Sequence, residues 1–322
     1  LLLEREVGKG VTLLLKYTLQ RFVYMIITLW VIATVTFFLM NFLPGTPLRN
    51  EEKIPPEIRD QILREYGLKD PLPVRYLRYM GNLLQGDLGN SLNMDGRKVT
   101  ELIGEGFPVS AFVGTQAVIF GTVIGLLLGV VSALNRGKFL DNLATVFAVL
   151  GVSVPSFVMA ALLSYWVGVK WRLLPVAGWD SYPSSILPSL ALSVFVIAQI
   201  SRYIRTEMVE VLDADYIKTA KAKGLSKRDI TYRHALRNAL IPAVTVLGPL
   251  AINIITGSLV VERVFNLPGI GEYFITSITN NDYTMILGTT LFYSALIIIT
   301  IFIVDVLYGV IDPRIRISGA KE

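Results

Sequence analysis

The side chains that could do chemistry cluster between Asp213 and Leu240, DADYIKTAKAKGLSKRDITYRHALRNAL, where seven Lys and Arg stand against three Asp. Catalysis is poorly served there. His234 is the single histidine and cysteine is absent, so the chain can assemble neither a histidine relay nor a thiolate metal site. What the stretch offers is charged recognition on a helical frame. Asp215 can cap a first short helix, Tyr216 to Lys223 are adequate helix formers, and Gly224 supplies the left-handed residue that ends it. Ser226 with Asp229 resembles a capping box and restarts the helix. Tyr216, Ile217 and Ala220 share one side by the i, i+3, i+4 rule, while Lys218, Lys221 and Lys223 spread over the remainder. The spacing predicts a basic helical hairpin whose small apolar knob, in a charged collar, inserts into a groove on another protein. The competing reading is a loop that is basic only because cytoplasmic loops are. For His234 a packing or hydrogen-bonding role is favoured over a pH switch.

Neutral polar residues at predicted membrane depth form a second set. Gln116, Gln199 and Asn253 either line a water-filled path or bond helices together. Asp305, near the inner end of the last apolar run, is the charged exception. Arg314 or Arg316 is its expected partner, in a structural anchor rather than a proton relay, because relays need several ionisable groups in depth. Gly121, Gly125 and Gly129 form a double GxxxG-like face for close packing within this chain or against another.

The elements that position these residues follow from composition. Of 322 residues 53% are hydrophobic and 17% charged, with mean hydropathy +0.56. Soluble domains carry roughly a quarter charged residues, so this is a membrane protein. Six apolar runs, Phe22–Leu43, Val109–Leu134, Leu143–Val169, Ile186–Tyr203, Ile241–Val261 and Met285–Val310, can cross a hydrocarbon core of about 30 Å. In the polar stretch 44–108, Pro55 and Pro56 start a helix with Ile58, Ile62 and Tyr66 at helical spacing, and Gly67 ends it. Val74, Leu77, Met80 and Leu84 repeat the pattern. This segment is read as lying against the outer membrane surface, either as a packed cover or as a receptor-docking element. Lys9, Lys16 and Arg21 precede the first run, Arg136 and Lys138 follow the second, and Arg314, Arg316 and Lys321 close the chain. With the basic hairpin, they put both termini in the cytoplasm. A cleaved signal peptide is disfavoured, since the first run is too long and no small-residue site follows it. The expected order is a cytoplasmic segment 1–21, a first membrane helix 22–43, an extracytoplasmic helical segment 44–108, a five-helix core 109–310 that includes the hairpin 206–240, and a cytoplasmic tail 311–322.

The hairpin resembles the EAA loop of ATP-binding-cassette (ABC) importer permeases, with Lys218, Thr219 and Ala220 in the EAA places and Gly224 in the glycine place. His234, Ala235, Leu236 and Arg237 stand where the general pattern has I-x-L-P. That departure resembles the variant of peptide and nickel permeases, DYIxTAxAKGL followed by HALRNAL. Gly86 to Ser91 resemble the GDLGxS signature of one peptide permease subunit, Leu174 to Gly178 its LPxxG, Glu262 to Gly271 its ExxFxxPGIG, and Asp312 to Arg316 its DPRIR. Thr284 departs from a usual proline. The likeness runs from Phe22 to Arg316, and separated motifs in order are more specific than any one alone.

The resemblance implies an all-α membrane protein of the type I importer permease fold, six membrane helices forming half of a path for oligopeptides, with dipeptides or nickel as alternatives. It assigns Asp215, Tyr216, Lys218, Thr219, Ala220, Lys221, Gly224, Leu225, His234 and Arg237 to coupling with an ATPase. It implies a homologous second permease subunit, two cytoplasmic ATPases that hold ATP and Mg, an extracytoplasmic substrate-binding protein, surrounding lipid, a prokaryotic cell (inner) membrane, and neither nucleic acid nor catalysis by this chain. No GxxxxGK[ST] phosphate loop, cofactor site or metal site is read in this sequence. An ion-coupled secondary transporter usually needs intramembrane carboxylates or broken-helix repeats, and an intramembrane enzyme a catalytic constellation. A DNA-reading hairpin would have its second helix free, and here it runs into the next span.

Overall fold

The computed structural model describes residues 2–42, 54–65 and 67–311; Leu43, Tyr66 and the Asp312–Arg316 motif, with Lys321, lie outside them. In chain order the helices are α1 (Leu2–Phe42), α2 (Pro56–Glu65), α3 (Leu72–Leu84), α4 (Val99–Leu134) and α5 (Phe139–Ser153). Then follow α6 (Ser156–Leu163), α7 (Ile186–Asp213), α8 (Asp215–Ala222) and α9 (Lys227–Asp229). The chain continues through α10 (Arg237–Ile255), α11 (Leu259–Val264), α12 (Ile270–Thr279) and α13 (Tyr283–Ile311). Five helical stretches are long and apolar enough to span a membrane, and six if one bent pair counts as a span. That pair corrects the expected run Leu143–Val169. It is two helical pieces, Phe139–Ser153 and Ser156–Lys170, bent by 105°. Pro155 is the cause, because proline pushes the preceding residue out of the helical region, and Val154 is extended at φ −84°, ψ 120°.

Two compact units emerge, residues 1–106 with 273–322, and residues 107–272. In the first, α1 packs along α13, and Phe22 meets Phe302 edge-on. Asp305 pairs there with Arg21 at 3.3 Å. Helix packing brings the basic end of α1 alongside; the expected partners Arg314 and Arg316 fall outside the described residues. Against α1, α3 lays Tyr76 and Tyr79 on Phe37, with ring centroids 5.5 and 5.3 Å away. Val74, Leu77 and Leu84 consequently face outward. The larger aromatic surfaces take the side packed on α1, and Val74, Leu77 and Leu84 are left on the other. The GDLGNS turn is anchored by Ser91 Oγ, which donates to the buried Asp282 carboxylate at 2.5 Å. Asp282 also accepts from Met285 N at 3.1 Å, capping α13.

In the second unit α7 is the axis on which α5, α6, α10 and α11 pack. The glycine face of α4 is used inside this chain, against α7. A Cβ at Gly125 would sit 2.9 Å from Ile197 O, and one at Gly129 2.7 Å from Ile204 Cβ, while at Gly121 it would overlap Val196. Two further motifs join: Gly178 N of LPVAG donates to Phe265 O at 2.9 Å, and the buried Glu262 accepts from Gly271 N at 2.9 Å. Val261, Phe265 and Leu267 pack there with Leu187 and Ala191 of α7.

Candidate functional site

The hairpin is built almost entirely from local rules. The α7 helix stops at Ala214, which is extended at φ −69°, ψ 150°, and α8 begins at once. Asp215 is the first helical residue and not the cap. Its exposed carboxylate accepts from Lys218 Nζ at 2.8 Å, an arrangement worth at most about 0.2–1 kcal/mol. At the other end Gly224 has φ +80°. Gly224 N reaches Lys221 O at 3.0 Å and Leu225 N reaches Ala220 O at 3.2 Å, the paired bonds of a Schellman turn. Ser226 then caps the return, accepting from Asp229 N at 3.1 Å and donating to the Asp229 carboxylate at 2.6 Å. A wide π-type turn, Ile230–Leu236, carries the chain into α10.

Ile217 is fully buried, and Ala220 and Ile230 nearly so, in a small core shared with Val211, Leu212 and Leu225. This corrects the picture of an apolar knob offered to a partner. Ile217 and Ala220 close the hairpin on itself, because in a bend this tight the apolar side of α8 meets the returning chain first. Tyr216 stays half exposed and accepts a hydrogen bond from Asn238 Nδ2 at 2.9 Å, tying α8 to α10. What the hairpin presents outward is Tyr216, Lys218, Thr219, Lys221, Gly224 and, on the return, Arg237; Leu225 and His234 are half-buried.

The stem of the hairpin is fastened by charges that the sequence reading missed. Asp141, at the start of α5, is buried. It accepts from Arg205 Nε at 2.6 Å and Nη2 at 2.8 Å, Ser132 Oγ at 2.5 Å and Gly137 N at 2.8 Å. These four donors fill the capacity of one carboxylate. Arg136 and Asp213 add an exposed pair at 2.9 Å. The α4–α5 turn is thus bolted to α7 just before the hairpin. A lone Asp in a basic turn gives no sequence signal of a partner 64 positions away.

The intramembrane amides part company. Gln116 is buried, donating to Tyr182 Oη at 2.9 Å and accepting from Ser189 Oγ at 2.8 Å. Gln199 is half-buried on α7. Asn253 is exposed and borders a cavity of about 300 Å³ with Gly151, Pro155, Ser156 and Phe195, at the break between α5 and α6.

Residues 125–317 match the family described as the inner membrane component of binding-protein-dependent transport systems, and residues 14–111 match its N-terminal region. The chain belongs to that family and is a multi-pass membrane protein. It is 45% identical over 302 residues to the dipeptide transport system permease protein DppB of Bacillus subtilis, covering 94% of this chain and 98% of that one. It is also 42% identical over 305 residues to the oligopeptide transport system permease protein OppB of Salmonella typhimurium, covering 94% and 100%. Among solved structures, an inward-facing MetNI methionine ABC transporter matches with TM-score 0.51 at 18% identity, over 63% of this chain and 95% of that one. The last likeness supports the importer permease fold.

Proposed function

We propose that this chain is the permease subunit of an ABC importer for peptides, and that its basic hairpin is the surface a cytoplasmic ATPase works. The observation that carries the reading is the hairpin itself: a self-closed bend with outward cations, on a helix that runs unbroken from Ile186 to Asp213. The high identity to dipeptide and oligopeptide permeases along nearly the whole chain supports peptides as cargo. A homologous second permease, two ATPases carrying ATP and Mg, and an extracytoplasmic binding protein complete the assembly, with both termini and the hairpin in the cytoplasm.

Closure of the ATPases draws the hairpins together, and each hairpin moves its α7 stem. Because Asp141 and Arg205 lock the α4–α5 turn to α7, the displacement reaches the broken span and the cavity beside Asn253. Asn253 and Gln199 then belong to the path, and Gln116, bonded to Tyr182 and Ser189, holds helices together. Switching a two-state protein from 1:99 to 99:1 takes about 5.5 kcal/mol of differential binding. Single exposed ion pairs fall short at about 0.2–1 kcal/mol. The lysines therefore orient the docking, and the fit of the Gly224 bend transmits the motion. Uptake of a labelled peptide into proteoliposomes, with the ATPases inside and a loaded binding protein outside, tests this. ATP-dependent uptake is expected; uptake driven by an ion gradient without the ATPases sinks the proposal.

A further inference from the structure

Two breaks in the helices of the second unit border the same cavity, the one of about 300 Å³ between the α5–α6 corner, α7 and the end of α10. At the corner Pro155 has no N–H to give Gly151 O, and among the described residues no backbone bond joins Ser156 N to Val152 O. On another wall Gly257 turns the chain at φ +101°, and Ser258 caps α11. Irregular backbone at membrane depth is tolerated where it is buried in protein or lines a water-filled cavity. The corner interrupts an apolar span, and a wet cavity accounts for both breaks at once.

The lining indicates what enters. Met159, Leu192, Phe195 and Ile254 supply apolar surface, while Ser156, Asn253 and Ser258 supply the polar groups. Among the described residues no Lys, Arg, Asp or Glu lines the cavity. The Asn253 and Ser156 side chains make no hydrogen bond among those residues, and Ser258 Oγ accepts from Val261 N at 3.4 Å, its proton still to give. An acyl chain leaves these polar groups idle, and a metal ion or charged side chain finds no counter-charge. A peptide unit beside an apolar side chain satisfies both halves of the lining. A primary amide carries an acceptor and two donors, so Asn253 can meet the N–H and the C=O of one extended residue together. We propose that this cavity holds one apolar residue of the cargo peptide, its side chain against Met159 and Phe195 and its main chain on Asn253. The volume, at the lower bound of about 300 Å³ for small-molecule sites, suits a single residue and not a whole oligopeptide. Such a site presupposes that the chain is a peptide permease, and it adds a preference exerted by the membrane subunit itself.

The test uses the complete importer, purified in detergent without nucleotide, and the tripeptide Ala-Leu-Ala carrying a diazirine leucine at its centre. Illumination is expected to give a saturable adduct, placed by mass spectrometry within residues 151–159 or 191–195. Met159→Trp, which fills the cavity, removes it. Competing peptides then read the chemistry. Unlabelled Ala-Leu-Ala competes and Ala-Glu-Ala does not, while the N-methyl-leucine analogue, short of one N–H, competes about three- to tenfold less well. On Asn253→Leu the two leucine peptides compete equally, because the bond that told them apart is gone. Equal competition by both on wild type, or an unchanged difference on Asn253→Leu, overturns the main-chain contact. An adduct elsewhere, or one displaced by phospholipid as readily as by Ala-Leu-Ala, overturns the site. ATP-driven uptake of Ala-Leu-Ala by the same preparation keeps the two readings apart. Uptake without a saturable adduct at the cavity sinks the site alone, and no uptake sinks the peptide permease and the site with it.

Discussion

Gly224 separates two ways in which the bend can serve coupling. Its φ of +80° lies where an L-residue pays about 1–2 kcal/mol, enough to lower the population of the native bend by a factor of about 5–30. A Cβ there meets no atom within 4 Å and the residue is exposed, so the first added carbon costs the isolated chain no space and a penalty from size is expected mainly against a partner. Three substitutions divide the contributions. Gly224→Ala adds strain with little bulk. Gly224→Asn adds bulk with little strain, because asparagine tolerates the left-handed region. Gly224→Val adds both, and is the most severe. The assay is ATP hydrolysis stimulated by loaded binding protein in the reconstituted importer, with assembly checked by co-purification. If fit in a groove governs coupling, Asn falls below Ala; if backbone shape governs, Ala falls below Asn. Valine loses stimulation in either case while the complex still assembles. Stimulation at the wild-type level in all three refutes the idea that this bend carries force.

Replacing Arg205 by Met leaves the Asp141 carboxylate buried without its main partner. The expected loss is about 3 kcal/mol, the low end for a broken buried pair because Arg205 keeps some water contact; thermal unfolding in detergent reads it, and Asp141→Asn in the same chain, which removes the stranded charge and keeps an acceptor for Ser132 or Gly137, should return part of it. On α4, Gly125→Leu forces a side chain onto Ile197 and Ile200 and is expected to cost about 3 kcal/mol or more. Gly104→Leu, whose Cβ meets open space, serves as the control in the same melting assay. Ile217→Ala removes the centre of the hairpin core, a change that typically costs about 2–5 kcal/mol at a fully buried site. Trypsin should then cut after Lys221 and Lys223 faster than in wild type, and unchanged cleavage would place the hairpin's rigidity elsewhere.

How much of this was legible in the chain depended on how far each interaction reaches. Gly224, and Ser226 with Asp229, were readable because a cap and its partner lie within three residues and the chemistry is backbone chemistry. Spacing put Ile217 and Ala220 on one face, but periodicity does not say whether a face meets a partner or the chain's own return. The break at Pro155 is written in the sequence as a proline, but the apolar run continues on both sides of it and hydropathy alone reads one span. Asp141 with Arg205, and Arg21 with Asp305, depend on which helices lie side by side, and nothing in the residues near either acid names its partner. The glycine face of α4 fell between: the close approach was legible, and its recipient on α7 was not.

The separated sequence motifs also acquire a common physical role. Ser91 of GDLGNS is bonded to Asp282, Gly178 of LPVAG to Phe265, and Glu262 to Gly271 within its own motif. Each is a polar junction, holding segments outside the long helices with bonds to backbone N–H or to buried carboxylates. In hydrocarbon, side chains of similar size replace one another readily, so the helices themselves leave little fixed pattern. A buried Glu or Asp has no such substitute, because removing either partner strands the other away from water. The residues easiest to recognise in this chain are therefore those that keep its connecting segments in place, and the residues that touch cargo need carry no comparable mark.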